Sequence, residues 1–144
     1  MKDILLYENN QIVAHEIKNS VSLPDNEQLG IFVFVFDKPI VEFLDSEKEL
    51  LFKIIKSVNQ DESKTVKIDL SSNSFSVEAL EKRGAKSLIV FSDLVPAIFE
   101  SLNLIQHQPC SIGGIEFFIT KSIESFEKDA KCKNLLWSYM KSKL

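Results

Sequence analysis

The chain is short of several residue types, and each shortage excludes something. Arg83 is the only arginine, so the bidentate grips that arginine offers to phosphate or guanine are almost missing. Two cysteines, Cys110 and Cys132, stand outside any C-x-x-C pair. With the two histidines, His15 and His107, they make no zinc-ligand spacing and read as reduced thiols. Four glycines leave no phosphate-cradling loop, since Gly113-Gly114 precedes a strand pattern rather than a helix and reads as a turn. There is no G-x-S-x-G elbow and no D-x-D-x-T phosphotransferase pattern. The longest apolar run, Ile31–Phe36, is six residues against the ~20 that span a bilayer. The opening MKDILLYENN carries acids where a secretory signal needs an apolar core, so the expected compartment is the cytoplasm, with no membrane contact.

What is present is an ordinary globular composition. The 144 residues are 44% hydrophobic and 26% charged, enough for one domain with a real core. A net charge of −4 disfavours tight nonspecific binding to nucleic acid, so direct contact with it is expected to be weak or absent.

Two continuous apolar stretches read as central strands of a parallel sheet covered on both faces: Ile31–Phe36 and Ser87–Phe91. Thr65–Leu70 alternates and suits a strand nearer an edge, and Ile115–Ile119 is the last strand. Between them, Ser46 and Glu49 form a capping box for a helix over 46–59. Ser76 caps Val77–Arg83, which stops at Gly84. Leu94–Leu102 has helical spacing behind Ser92-Asp93, with Pro96 in its first turn. A long helix runs from Ser122 or Ser125 toward Leu144 with Phe126, Ala130, Lys133, Trp137 and Met140 on one side. Trp137 reads as core. The lysines of that helix read as a solvated face. Residues 18–29, Ser71–Ser74 and Gln106–Gly114 read as loops, the last holding a solvated His107. The expected domain layout is an N-terminal hairpin or extension plus loop over 1–28 (a hairpin about Asn9-Asn10, or a frayed helix) and one α/β domain over 29–144. The alternation predicts a three-layer α/β/α fold with a four-stranded parallel sheet.

Three aspartates fall at or just after strand ends: Asp37, Asp69 and Asp93. Ligands of open α/β sheets bind beyond the carboxyl ends of the strands, so carboxylates there can act as bases or hold a metal. Each is also an ordinary turn or cap residue.

Three stretches together resemble the uracil-DNA glycosylase superfamily. Gly84–Asp93 resembles its "P-K-x-I-V-x-L-G" strand. Asp129–Trp137, with Lys133 and Trp137 at the right separation, resembles its "N-P-x-x-K-x-x-x-W" helix. Asp37-Lys38-Pro39 resembles its acid-x-Pro loop. The resemblance spans roughly Leu29 to Met140 in the family's order and implies that fold. The departures bear on activity. Phe36 stands for the loop glycine, Asp69 for the base-reading Asn, and Thr120-Lys121-Ser122 for the His-Pro-Ser whose His stabilises the leaving base. The four cysteines that bind a cluster in one enzyme branch are missing.

This degenerate pattern is similar to the psi subunits of the bacterial DNA polymerase III clamp loader. That likeness implies no catalytic residue, no cofactor and no metal. It implies protein partners from the clamp loader or other replication and repair machinery, and a vestigial pocket of Asp37, Pro39, Asp69 and Lys121. The Trp- and Arg-containing N-terminal peptide of psi has no match in residues 1–28. Two other readings stand beside it. One is a divergent glycosylase-type enzyme using Asp37, with Lys121 supplying the positive charge. The other is an α/β binding domain unconnected with nucleic acid.

Overall fold

A computed structural model describes residues 28–70, 73–96, 99 and 102–144, together with the pair 19–20. The expected hairpin or frayed helix within 1–17 lies outside the described residues. The class is α/β. Strands β2 (Phe32–Phe36), β3 (Lys67–Asp69), β5 (Ser87–Phe91), β6 (Cys110–Ile112) and β7 (Ile115–Thr120) form a five-stranded sheet in the order β3-β2-β5-β7-β6. The first four of that order are parallel, and β6 runs antiparallel to β7. This corrects the expected four-stranded, wholly parallel sheet. Gln106–Gly114 is not all loop: Cys110–Ile112 turns back on Ile115 through Gly113-Gly114, and Gly113 takes the positive φ of +64° that such a two-residue turn requires.

The loop readings at 18–29 and 71–74 also need amending. Asn19–Ser20 (β1) pairs in parallel with Asn73–Ser74 (β4) as a separate two-stranded ladder.

Side chains alternate across the pleat, so the sheet divides the core in two. Phe32, Phe34, Phe36, Ile89, Phe91 and Phe118 point to one face. There they meet α1 (Asp45–Ser57), α3 (Ile123–Glu127) and α4 (Ala130–Lys141). Val33, Val35, Ile68, Leu88, Val90 and Ile119 point to the other face, against Leu80 of α2 (Val77–Lys82), Phe99 and Leu104. The aromatic face is locked by ring contacts: Phe36 stacks on Phe91 at 5.2 Å and meets Phe43 edge-on, while Phe91 meets Phe126 edge-on.

The helix ends differ from expectation in instructive ways. α1 begins at Asp45 with Leu44 as its cap residue. The Ser46/Glu49 box is not used. The Glu47 carboxylate instead accepts the Leu44 amide at 2.9 Å. Ser76 does cap α2, accepting from the Ala79 amide, and Gly84 lies just beyond the helix at φ +103°.

The long C-terminal helix is two helices. Asp129 leaves helical geometry and caps the second by accepting the Cys132 amide at 3.0 Å. The break rotates the buried stripe to Cys132, Leu136, Tyr139 and Met140. Trp137, expected in the core, is 41% exposed. Behind Ser92-Asp93, Leu94, Val95 and Pro96 are not helical. Phe99 and Leu102 have 3-10 geometry, and the rest of the expected 94–102 helix lies outside the described residues.

Gln60, just beyond α1, has a structural role that its polar sequence context does not announce. Its side chain accepts the Phe32 amide and donates to Phe32 O and Thr65 Oγ1, closing the start of β2 against the chain entering β3.

Candidate functional site

The register aligns the carboxyl ends of four strands in two rows. Asp69, Phe36, Phe91 and Thr120 form the last paired row. Leu70, Asp37 and Ser92 stand one residue further, their amides donating to Phe36 O, Phe91 O and Thr120 O respectively, with Lys121 following Thr120. The chain leaving β2 runs to α1 on the aromatic face, whereas the chain leaving β5 runs to Phe99 and Leu104 on the other face. Where successive connections part to opposite faces, a crevice opens at the strand ends, the usual ligand position in open α/β sheets. Asp37, Ser92 and Asp93 sit at that point.

Asp37 follows directly on the buried β2 and is itself exposed. Burial of part of its carboxyl raises its pKa above the ordinary aspartate value, and the nearby Asp93 charge raises it further. The Ser92 hydroxyl, a backbone amide and Lys38 oppose the rise without cancelling it.

Pro39, at φ −60°, starts a short 3-10 turn over Ile40–Glu42 and accepts the Glu42 amide at 3.0 Å, so it steers the chain out of β2. Asp69, buried at the end of edge strand β3, accepts the amide of Ile40 in the loop leaving the neighbouring β2 at 3.2 Å. It therefore ties down the same loop that Pro39 shapes.

Lys121 is tied to the break between α3 and α4. Its ammonium pairs with Asp129 at 3.0 Å. That hydrogen bond raises the lysine pKa, while the Cys132 amide and Lys121 together hold the Asp129 carboxyl far below the usual carboxylate range. Two strand spacings, roughly 10 Å of backbone, separate Asp37 from Lys121, with Ser92 between them.

Asp93 and Glu47 have larger structural roles than their sequence context shows. Asp93 accepts the Ser122 amide at 3.0 Å and the Ser122 hydroxyl at 3.1 Å, so the loop after β5 caps α3 from 29 residues away. Glu47 is fully buried. Besides capping α1 it takes Lys38 Nζ at 2.9 Å, and Lys38 also lies over the Phe43 ring. A polar residue two or three positions into a helix is the only local signal for Glu47. Nothing local pairs Asp93 with Ser122.

His107 is not a solvated loop residue. It is half-buried at φ +65°, its Nε2 lies 2.9 Å from Thr120 Oγ1, and its ring faces Phe118. Burial lowers its pKa, with Asp129 opposing.

Among the described residues no three His, Cys, Asp or Glu side chains come together to hold a metal ion. No helix among them is long and apolar enough to cross a membrane. A cavity of about 290 Å³ lies at the amino-terminal end of the sheet, lined by Leu29, Ile31, Val58 and Gln60 among others. A smaller one, about 120 Å³, lies between α1 and α4. Asp37, Pro39, Asp69 and Lys121 line neither of these two. No protein-family model, no curated protein and no solved structure matches the chain.

Proposed function

We propose that the chain is a non-catalytic protein of glycosylase-like fold, similar to the psi subunits, that works as a protein-interaction module in DNA replication or repair. One observation carries the reading: three of the four charged groups at the crevice hold the fold together, and the fourth, Asp37, stays exposed. Asp69 is spent on the Ile40 amide, Asp93 on the start of α3, and Lys121 on Asp129. A glycosylase needs a donor free to stabilise the departing base and a group free to read it. Around the same edge the loops leaving β2 and β5 expose Val41 (89%) and Leu94 (80%), and Leu44 is exposed as well. Apolar tips beside the crevice suit a protein partner better than a polar nucleotide.

Purified protein incubated with uracil-containing single- and double-stranded DNA is expected to release no uracil. Co-purification from the native host is expected to bring down replication or repair proteins. Robust uracil release that Asp37→Asn abolishes would overturn the proposal in favour of an enzyme built on Asp37. Partners unconnected with DNA would favour the plain α/β binding domain.

A further inference from the structure

The cavity between α1 and α4 is lined by Leu50, Ile54, Phe126, Leu136, Trp137 and Met140. At about 120 Å³ it is well below the roughly 300–1,000 Å³ of small-molecule sites, and it has room for a single large apolar side chain. Its wall includes the protein's only tryptophan, which stays 41% exposed although Leu136 beside it is buried. A half-exposed Trp beside a one-residue hole between two helices is the form of an anchor pocket at a protein interface.

Lysines outnumber acids around it, three to two, with Glu127 beside Phe126 on α3 one of the two acids. Lys133 lines the pocket. Lys53, next to Ile54 on α1, and Lys141, next to Met140 on α4, flank it by helical spacing. None of these three lysines makes an ion pair among the described residues. Residues 130–144 contain Lys131, Lys133, Lys141 and Lys143 and no acid, in a chain whose net charge is −4. Glu49, one turn before Lys53, is the acidic neighbour on α1. The unpaired lysines give the rim a positive charge that an acidic segment would complement, and the pocket between them is open to an apolar side chain.

We infer that the α1–α4 groove docks an amphipathic helical segment of a partner protein, one that inserts a large apolar side chain beside Trp137 and sets acidic residues against Lys53, Lys133 and Lys141. This rests on the reading of the chain as an interaction module but uses a different surface from the strand-end crevice.

The probe is a displayed library of amphipathic helical peptides whose polar positions vary among acidic, neutral and basic residues, panned against the full chain. Enriched peptides should carry acidic polar faces and apolar anchors at i, i+3 or i+4, and i+7. Their binding should shift Trp137 emission and weaken as salt is raised. Lys133→Glu and Lys141→Glu, both surface changes checked by far-UV circular dichroism, should each weaken binding on the order of tenfold.

Enrichment of neutral or basic peptides, no enrichment, or equal binding to the Lys133→Glu protein would overturn the inference. So would a concentration-dependent emission shift of the chain alone, which would put a second copy in the groove. The two proposals fail separately. Uracil release would sink the interaction-module reading. Host partners captured equally by wild type and Lys133→Glu would sink only the groove.

Discussion

Glu47 concentrates several jobs in one buried carboxylate. It caps α1 at the Leu44 amide, anchors Lys38, and leaves Oε2 without a hydrogen-bond partner among the buried polar atoms. Removing it strips a cap and a charged hydrogen bond together, so Glu47→Ala should lower stability by about 2 kcal/mol in a urea titration. Ser46→Ala should change it little, because the serine is exposed and takes no part in the cap.

The titrating groups give a pH profile of definite sign. Burial pushes the Glu47 carboxyl up, but the Leu44 amide and Lys38 more than offset it. Burial likewise pushes Glu116 up, and Lys143, Tyr139 and Ser111 overcome it. With Asp129, both bind fewer protons folded than unfolded, so their contribution is complete above the ordinary carboxyl range near pH 4 and drains as pH falls below it. His107 also stays unprotonated longer in the fold than in the unfolded chain, because burial disfavours the imidazolium. It removes stability once pH drops below roughly 6.5. Asp37, raised in the fold, works in the opposite direction over its own range. The urea midpoint should therefore hold from pH 8 to 7, ease down below about 6.5, and fall steeply below about 4. His107→Gln should flatten the first limb alone.

At the scale of elements, backbone geometry decides more than side-chain chemistry. Gly84 ends α2 at φ +103°, and an added Cβ would run into the Gln28 side chain. Gly84→Ala should cost at least about 1 kcal/mol. Asn59→Gly, at φ +56° after α1, should be close to neutral. Paired thermal melts of the two variants check this contrast.

The same scale shows what could be read in advance. β2 and β5 were legible because strands buried on both faces are almost wholly apolar, β7 because its Phe117-Phe118-Ile119 run follows a Gly-Gly turn, and α2 because Ser76 and Gly84 bracket it with local chemistry. β6 was not, because Cys110-Ser111-Ile112 is a strand only by virtue of pairing with β7. The C-terminal helix looked continuous since Lys128-Asp129 interrupts no apolar period. What breaks it is the Asp129 cap and its tie to Lys121. At the crevice, the positions of Asp37, Asp69 and Asp93 at strand ends followed from the strand pattern. Their bonds to Ile40 and Ser122 did not, because each joins residues 29 apart in the chain.

For the whole molecule, the polar ties sit at opposite ends of one sheet. At the carboxyl edge Asp69, Asp93 and Lys121 hold loops. At the other end the Tyr139 hydroxyl donates to Glu116 at 2.8 Å and meets the Ser87 hydroxyl, while Lys143 pairs with Glu116 at 2.6 Å. α4 is thereby fastened to both β5 and β7. Tyr139→Phe keeps the ring stacked on Phe118 and removes only these bonds, leaving the Glu116 and Ser87 groups to find other partners. It should lower the melting temperature without disturbing far-UV circular dichroism, by about 1–2 kcal/mol of stability.

The Gln60 clasp has a consequence for the protein's solubility. Phe32–Phe36 is an uncharged, proline-free run of aromatic and β-branched residues, the composition of segments that stack into cross-β fibrils. It is harmless here because β3 and β5 occupy both its flanks. β5 is itself held between β2 and β7, but β3 is a three-residue edge strand, and the chain entering it is held to β2 by the Gly30 and Phe34 amides on Lys64 O and Val66 O and by the Gln60 side chain that bridges Phe32 and Thr65. Shelf life should then follow the fraying of that edge rather than global unfolding. Gln60→Ala should shorten the lag before thioflavin-positive aggregates form at temperatures where the circular dichroism spectrum is still native.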